Sequence, residues 1–569
     1  MTTNLLLRPL LFLFAMVTIT SSAFTTSRRL MFRISRNYAS AVTHKCPYHR
    51  NINGHASSRS TSDCLPMLFS SLSFEMTDNE IQMKGDALKM INASIRAVDP
   101  YAAIKRKMMM CKEEDSLETL VIDVDDDGTE QIKYDLSNYD RIRVFSFGKA
   151  SAAMALAAGD IVSSCGKELD GVTIIKDDHA TAEEIDLLKE KYNIAVREAS
   201  HPVPDARSVA ASNEILQLAK TSDSRTLIVA CISGGGSALF CSPREPLTLD
   251  DLMQTNSALL ASGMPIEKMN VIRKRLENGK GGRLAATAFP ATVVTLVLSD
   301  IIGDPIDLIA SGPTVPDDCS GWDDACRLVK EYGLEADGEY ALPDTVLNLL
   351  RLGKEGHLED TPTSSHEAFS DSPPLCRTVL VGNNRAAVIA AANEADRLGW
   401  NPVVLGTRVD GEASVVAGTY VAMAETLSQQ REHGANSYQI TALPAALIAG
   451  GETVVTIPAE CNGKGGRNQE LALSAAIKLK EIGLRDVVIA SCGTDGTDGP
   501  TDAAGAIVDG ASVDRIEQTF TGRSAHDAMK NHDAYHFFHD TNSEDRSHHL
   551  IHTGPTGTNV ADVMITLIK

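Results

Sequence analysis

The residues best suited to chemistry in this chain of 569 residues lie in short glycine-rich clusters. The run Thr226-Leu-Ile-Val-Ala-Cys-Ile-Ser233-Gly234-Gly235-Gly236-Ser237-Ala238-Leu-Phe240 passes from apolar residues into three glycines and then into a predicted helix. Glycines there let the backbone turn sharply and present N–H groups. A following helix adds a positive dipole end, which suits phosphate or another anion. An ordinary tight strand-to-helix turn would look the same. Gly148-Lys149 sets a cation at a second predicted strand-to-helix junction, where it could meet such an anion or simply be solvated. Lys280-Gly-Gly-Arg283 and Lys464-Gly-Gly-Arg467 are two copies of one tetrapeptide, each joining flexible backbone donors to two cations.

Carboxylates follow the apolar runs too. Asp300 and Asp304 come after Ala291–Leu298. A carboxylate in that position can hold Mg²⁺ or accept a hydroxyl proton, or it can cap a turn. Gly493-Thr-Asp-Gly-Thr-Asp-Gly499 could bind a metal or form a helix cap, and its spacing is not that of an EF-hand loop. His532, His536 and His539 have i, i+4, i+7 spacing, yet no carboxylate or cysteine completes a metal set; a surface cluster is the preferred reading. The Walker pattern is missing, and Leu239 occupies the third small position of the dinucleotide fingerprint. Leu239 and Phe240 after Gly236-Ser237-Ala238 also break the serine-hydrolase elbow.

Alternating strand and helix patterns must position these clusters. Strands are predicted at Arg141–Phe147, Gly171–Lys176, Ile194–Glu198, Thr226–Ile232 and Ala291–Leu298, with helices between them. That alternation argues a parallel, doubly wound sheet. Thr77–Val98 has helical spacing, and the acidic stretch 112–130 reads as a loop or hairpin. A second alternating region starts at Arg377, with strands at Thr378–Val381, Val403–Leu405, Ala446–Ala449, Thr453–Ile457 and Val487–Ala490. Gly450-Gly451 suggests a hairpin-like turn there and hence a mixed sheet. The expected organisation is a disordered targeting presequence over 1–72, a Rossmann-like domain over 73–353, an exposed insertion or linker over 354–376, and a second α/β domain over 377–569.

Composition narrows the function classes. The formal net charge is -22, and the first 62 residues contain eight basic and no acidic side chains. The remainder, with 45 basic against 75 acidic residues, stands near -30. Such a body repels nucleic acid and anionic membrane, so any anion site must be built locally from Lys, Arg and backbone N–H groups. The 11 cysteines are scattered, with no C-x-x-C pair, and read as reduced core residues rather than a disulfide or zinc framework. Leu10–Ile19 after Arg8 is too short to span a bilayer. With Ser21-Ser22-Ala23-Phe24 it has the form of a signal peptide, followed by an acid-free Ser/Thr/Arg stretch like a transit peptide. A bipartite plastid presequence is the expectation, with a mitochondrial or cytoplasmic form as the alternative.

Taken in order, the motifs resemble the glycerate 2-kinase family, the type with a C-terminal MOFRL domain. The matching stretches are Phe147-Gly-Lys-Ala150, His201-Pro-Val-Pro-Asp205, Ser233-Gly-Gly-Gly-Ser-Ala-Leu239, Asn270-x-x-Arg273-Lys274, Lys280-Gly-Gly-Arg283, Ser299-Asp300-x-x-Gly303-Asp304 and Ser311-Gly-Pro-Thr314. Gly450-Gly-Glu-Thr453, Gly463-Lys-Gly-Gly-Arg-Asn-Gln-Glu470, Gly493–Gly499 and Thr553-Gly-Pro-Thr-Gly-Thr-Asn559 continue the resemblance to the C-terminus. It implies ATP- and Mg²⁺-dependent phosphorylation of D-glycerate at its 2-hydroxyl. It also implies an N-terminal Rossmann-like parallel sheet, a C-terminal mixed-sheet domain, and a site in the cleft between them. Carried over by motif, Lys149, Asp300 and Arg467 are the catalytic residues. Lys149 would meet the glycerate carboxylate or the transferred phosphoryl group, and Arg467 the equatorial oxygens. Asp300 would accept the hydroxyl proton or help hold Mg²⁺. Ser233, Gly234, Gly235, Gly236, Ser237, Arg273, Lys280, Arg283, Asp304, Lys464, Asn468, Glu470 and Asp495 are expected to bind substrate or nucleotide. The expected partners are these small molecules and a second copy in a homodimer, with no nucleic acid and no membrane span. One departure stands out. Leu276-Glu-Asn-Gly279 precedes Lys280 where the family usually has a serine and an aliphatic residue. The rival readings are an NAD(P)H-dependent hydroxypyruvate reductase, a name members of this family have carried, and a non-catalytic binder of phosphorylated metabolites.

Overall fold

The structure, a computed structural model, describes residues 76–112, 118–125, 128–370, 374–433, 441–458, 461–520, 522–539 and 548–569. The presequence expected over 1–72 lies outside the described residues. So do parts of the acidic stretch, of the 354–376 segment and of the histidine-rich stretch.

The acidic stretch belongs to a small antiparallel sheet of β1 (Met108–Lys112), β2 (Glu118–Asp123) and β3 (Gln131–Asp135). The strong apolar runs then form β4 (Arg141–Phe147), β5 (Glu168–Lys176), β6 (Ile194–Ala199), β7 (Thr226–Ile232), β8 (Thr292–Leu298) and β9 (Cys376–Gly382). They lie in the order β6-β5-β4-β7-β8-β9, and every pairing is parallel. β7 and β8 are buried along their whole length, as strands covered on both faces must be. Along β4 the side chains alternate between two cores: Ile142 and Val144 enter one, Phe145 and Phe147 the other. This strand order places a topological switch point between β4 and β7, where connections leave in opposite directions and open a crevice at the carboxyl ends.

The second sheet holds β10 (Asn401–Val409), β11 (Ala445–Gly451), β12 (Val487–Gly493), β13 (Gly505–Asp509), β14 (Leu550–Ile551) and β15 (Asp562–Ile568), in the order β10-β11-β15-β12-β13-β14. β10 and β11 run parallel, and the other pairings are antiparallel. The C-terminal strand therefore sits in the middle of the sheet.

Four expectations change. The strand expected at Thr378–Val381 to open the second region is β9, the edge of the first sheet, with Val297 opposite Leu380. The break in composition over 354–376 lies at the end of the last parallel crossover, the one from β8 to β9, so the boundary at 377 is not a sheet boundary. The expected strand Thr453–Ile457 reduces to a single bridge between Glu412 and Val454. Gly450-Gly451 ends β11 without a hairpin, and the sheet is mixed because β15 inserts antiparallel. The 354–376 segment is not simply exposed: Thr361 and Ala368 are buried, and Thr361 Oγ1 donates to Asp317 Oδ2 at 3.0 Å.

The first described helix, Asp78–Ala97, starts at a Thr77/Glu80 capping box and lies against the second sheet. Trp400 Nε1 donates to Asp86 Oδ2 at 3.1 Å, and Lys84 pairs with Asp509 at 2.8 Å. Lys84 is 2% exposed and Asp509 0%. Burial would push the Asp509 carboxyl up, but Lys84 and then Arg515 hold it well below the usual range. One buried apolar cluster runs from Val98 and Ile142 through Ala446 and Ile565, so the two sheets share a core. Four helices, Leu249–Ala261, Ile266–Leu276, Trp322–Glu331 and Asp344–Lys354, enclose a separate core around Leu259, Ile272, Leu328 and Leu349.

Replacing Asp509 by Ala leaves Lys84 buried without its counter-ion. Breaking a buried pair in this way costs about 3–5 kcal/mol. Urea unfolding of Asp509→Ala is expected to show a loss of that order, and a loss below about 1 kcal/mol would show that the helix does not depend on the pair.

Candidate active site

The loops that line the crevice at the β4–β7 switch point are fastened to each other. Lys149 N donates to the Gly234 carbonyl at 2.8 Å, and Ala150 N donates to Ser233 Oγ at 3.0 Å. Ser233 is buried, and its hydroxyl ties the two loops together instead of facing a ligand. Below the loop Phe147 and Phe240 stack with centroids 4.4 Å apart. The helix after the loop is one turn, Gly236–Leu239, so its dipole is small and the loop's own N–H groups carry any anion attraction.

Two glycines are required by what surrounds them. A Cβ on Gly234 would overlap the Asp300 carboxylate. Gly235 has φ +81°, and a Cβ there would come within 2.9 Å of His201 Nε2 and 3.3 Å of Lys149 Cγ. The loop thus brings together the ends of β4 and β8 and the His201-Pro202 turn after β6.

Asp300, half-buried just beyond β8, has its carboxyl raised to about 6. Burial is the main cause; the Lys149 ammonium opposes it, while Glu452 and Asp495 reinforce it. Glu452 follows β11 and Asp495 follows β12, so the second sheet supplies the facing wall. Among the described residues no carboxylate lies within 4.0 Å of Lys149 Nζ. Burial, then Lys149, hold the His201 imidazole down to about 4, so the ring is neutral near pH 7.

Arg467 opens the helix Arg467–Ile482 and is already engaged. Its Nε reaches Asp562 Oδ2 at 2.6 Å, Nη2 reaches Asp562 Oδ1 at 3.0 Å, and Nη1 reaches Glu452 Oε1 at 2.6 Å. Asp562 is fully buried, whereas Glu452 is 42% exposed, so Asp562 fixes the guanidinium and Glu452 is the displaceable partner. Burial raises the Asp562 carboxyl to about 6 against the pull of Arg467. Asp498 caps the same helix, accepting from Asn468 N at 3.1 Å and Gln469 N at 2.8 Å.

Other expected ligand residues are committed elsewhere. Lys280 is buried in an ion pair with Glu277, and its Nζ also donates to the Ser237 carbonyl at 2.9 Å. The N–H groups of Gly281 and Gly282 bond the carbonyls of Ser311 and Gly312 at 2.9 and 2.7 Å. The first Lys-Gly-Gly-Arg copy therefore braces the glycine loop, and Glu277, in the segment that departs from the family pattern, is what neutralises it. Ser237 Oγ lies 3.2 Å from Ser311 Oγ. Arg273 donates to Asn256 Oδ1 at 2.7 Å, in the helical layer, and Arg283 to the Glu359 carbonyl at 3.2 Å, in the 354–376 segment. Asp304 accepts from Asn383 Nδ2 at 2.7 Å. In the second copy, Lys464 Nζ stands 4.4 Å over the Tyr535 ring, Asn468 is buried against Asp498 and Asp562, and Glu470 pairs with His532 at 2.9 Å. His536 pairs with Asp533 and His539 packs on Tyr535, so the three histidines share no ligand face. His532 lies between two short helices with φ +51°, which breaks the helical spacing. Glu452 and Asp562 carry no role in the sequence reading, whereas Asp498 lies in the Gly493–Gly499 run read as a metal site or a helix cap and is a cap. The signal for Glu452 was its place in Gly-Gly-Glu-Thr; nothing local marks Asp562, which reaches Arg467 only through the fold.

Among the described residues no group of three or more His, Cys, Asp or Glu is arranged to hold a metal ion unaided. Asp300, with Glu452 and Asp495 facing it, fits a cation bound by one or two carboxylates and completed by substrate phosphates, the usual manner of Mg²⁺.

The chain is similar to known proteins over most of its length. Residues 86–351 match a family model described as Domain of unknown function (DUF4147), and residues 445–562 match the MOFRL family. The chain is 38% identical over 434 residues to D-glycerate 2-kinase of Thermotoga maritima, covering 76% of this chain and 91% of that protein. It is 33% identical to glycerate 2-kinase of Pyrococcus horikoshii, covering 84% and 96%. A crystal structure of the Thermotoga maritima glycerate kinase superposes with a TM-score of 0.68 at 35% identity, covering 86% of this chain and all of the other.

Gly234→Ala tests the close approach. The added methyl must push Asp300 aside, and a misplacement of about 1 Å costs on the order of 10²-fold in rate. The variant is expected to keep its far-ultraviolet circular dichroism and lose activity by about that factor; activity within threefold of the parent would show that Asp300 need not sit over the loop.

Proposed function

The chain belongs to the glycerate kinase family with a C-terminal MOFRL domain, and we propose that it transfers the γ-phosphoryl group of ATP to the 2-hydroxyl of D-glycerate, giving 2-phospho-D-glycerate and ADP. The observation that carries this reading is the juxtaposition, across one crevice, of an unpaired lysine, a carboxyl poised near pH 6 and an arginine fixed from behind. Phosphoryl transfer asks for that set: charge neutralisation and alignment rather than covalent chemistry.

In this mechanism Asp300 accepts the proton of the attacking 2-hydroxyl. Its raised carboxyl makes it a better base than an ordinary aspartate while leaving it mostly ionised at neutral pH. Lys149 neutralises charge on the transferred group beside the glycine loop. Arg467, oriented by Asp562, releases Glu452 and turns Nη1 to the equatorial oxygens. The N–H groups of the Gly234–Ser237 loop line the same wall. Mg²⁺, held by Glu452 with the nucleotide phosphates, would supply further charge neutralisation and leave Asp300 free for the proton. The neutral His201 ring beside Gly235 excludes water from that wall without adding charge.

The glycine loop gives the reductase reading no support. Leu239 at the third small position is fully buried and the following helix is a single turn, so the pyrophosphate cradle of a dinucleotide site is not formed.

A coupled assay with D-glycerate and ATP, resolving 2- from 3-phosphoglycerate, should give the 2-isomer; oxidation of NADH by hydroxypyruvate in its place would overturn the reading. The pH dependence has a definite sign. Asp300 acts when deprotonated, so kcat/KM should fall as pH drops through about 6, with a slope of one proton. Asp300→Asn should remove that limb and lower kcat by about 10²–10⁴-fold. An acid limb that persists in Asp300→Asn would assign the base elsewhere.

A further inference from the structure

We propose that Lys176, together with Lys149 and His201, forms a subsite for the polyphosphate of the nucleotide along the carboxyl ends of β4 and β5. The proposal rests on the reading that ATP is the phosphoryl donor, and it gives the nucleotide a direction in the crevice.

Lys149 stands two residues beyond β4, and Lys176 is the last residue of β5, the strand beside it. Lys176 pairs in register with Ala199, two residues before His201. His179 folds back over the same strand end, its Nδ1 3.1 Å from the Asp177 carbonyl and its N–H on the Lys176 carbonyl at 3.1 Å. Lys149 and Lys176 both oppose protonation of His201 and of His179, so the four basic groups lie within electrostatic reach of one another.

The acidic side chains that could have neutralised this cluster are engaged. Arg207 takes Asp177 through two bonds of 2.7 and 2.8 Å and Asp205 through one of 2.7 Å. Asp178 is exposed and acts on His179. Among the described residues neither lysine has a carboxylate within 4.0 Å. Lys149 acts on Asp300 and Lys176 on Asp177 only from beyond ion-pair distance, so in a chain of net charge -22 two half-buried lysines with no close acidic partner at neighbouring strand ends mark a place that expects an anion.

Distance decides which anion. In the order β5-β4-β7-β8, three strand spacings separate Lys176 from the strand that carries Asp300. At about 4.8 Å each they amount to roughly 14 Å. A three-carbon acid whose hydroxyl sits at Asp300 cannot bring its carboxylate that far. Lys149 lies one spacing nearer and acts directly on Asp300. The terminal phosphoryl group therefore belongs at Lys149, facing the hydroxyl, and the remaining phosphates run outward to Lys176.

The test is binding by calorimetry with the β,γ-imido analogue of ATP and with inorganic tripolyphosphate, on the parent and on Lys176→Ala. A lost charge-assisted bond corresponds to about a 10- to 100-fold weaker Kd. That loss is expected for both probes, with the KM for glycerate unchanged, partial recovery in Lys176→Arg and an unchanged melting temperature. Unchanged binding of both probes, or a rise in glycerate KM with nucleotide binding intact, would overturn the subsite. If the parent binds the analogue through Lys176 but does not phosphorylate glycerate, the catalytic reading fails and the subsite stands. If the parent binds neither probe, the subsite fails whatever the turnover.

Discussion

The site depends on one close approach, the passage of the Gly234 backbone under the Asp300 carboxylate. β4 and β7 are neighbours in the sheet, but the connections that leave them diverge. The crevice between them can be narrow only if the loops carry no side chains where they meet. Gly148, Gly234 and Gly235 meet that condition, and Ser233 fastens the two loops with its buried hydroxyl. Lys149, Asp300 and His201 then converge from three different strand ends without any of them touching in sequence. Every other feature of the first wall, from the stacked Phe147 and Phe240 to the Lys280–Glu277 brace under Ser237, serves to keep that backbone where it is.

The facing wall works by the opposite principle. Its cation is held by acids instead of standing alone. Arg467 is fixed by a fully buried aspartate and touched by an exposed glutamate, so its position is rigid and one donor is available for exchange. A strongly acidic chain can admit an anion only where cations are unopposed or where their counter-ions can leave; Lys149 is the first case and Arg467 the second. The two walls stay in register because their sheets share one core and because the helix 78–97 is pinned to the second sheet by the Lys84–Asp509 pair.

Much of this was legible in the sequence, and the limit is instructive. Apolar runs ending in or just before glycine mark β4 and β7, and one ending in Ser299-Asp300 marks β8; their loops carry Lys149, Ser233–Ser237 and Asp300. The family resemblance adds Arg467. What local sequence does not reveal is how identical motifs are used. Lys280-Gly-Gly-Arg283 and Lys464-Gly-Gly-Arg467 read alike, yet Glu277, three residues before Lys280, turns the first into a brace, while the second opens a sixteen-residue helix with its arginine held by Asp562 and Glu452. Asp562 and the place of β9 are set by long-range pairing, which periodicity cannot report. The histidine spacing fails for a local reason, the left-handed residue at His532 that separates two short helices.

Asp300 and Asp509 show why burial alone does not identify a catalytic carboxylate. Asp509 meets Lys84 and Arg515, which hold its carboxyl well below the ordinary range. Its contribution to stability is present above the unfolded value and is lost only as pH falls toward the folded one. Asp300 meets a lysine and two further acids, and its carboxyl rises from 3.8 to about 6. The folded state then binds the proton more tightly than the unfolded chain. Stability therefore declines as pH rises through that window, and above it the ionised group costs about 3 kcal/mol. A fold has no structural reason to keep a carboxylate at such a cost when a nearer cation would relieve it. The cost is consistent with a group kept basic for a substrate proton, supported by the pinned helix and shared core elsewhere in the molecule.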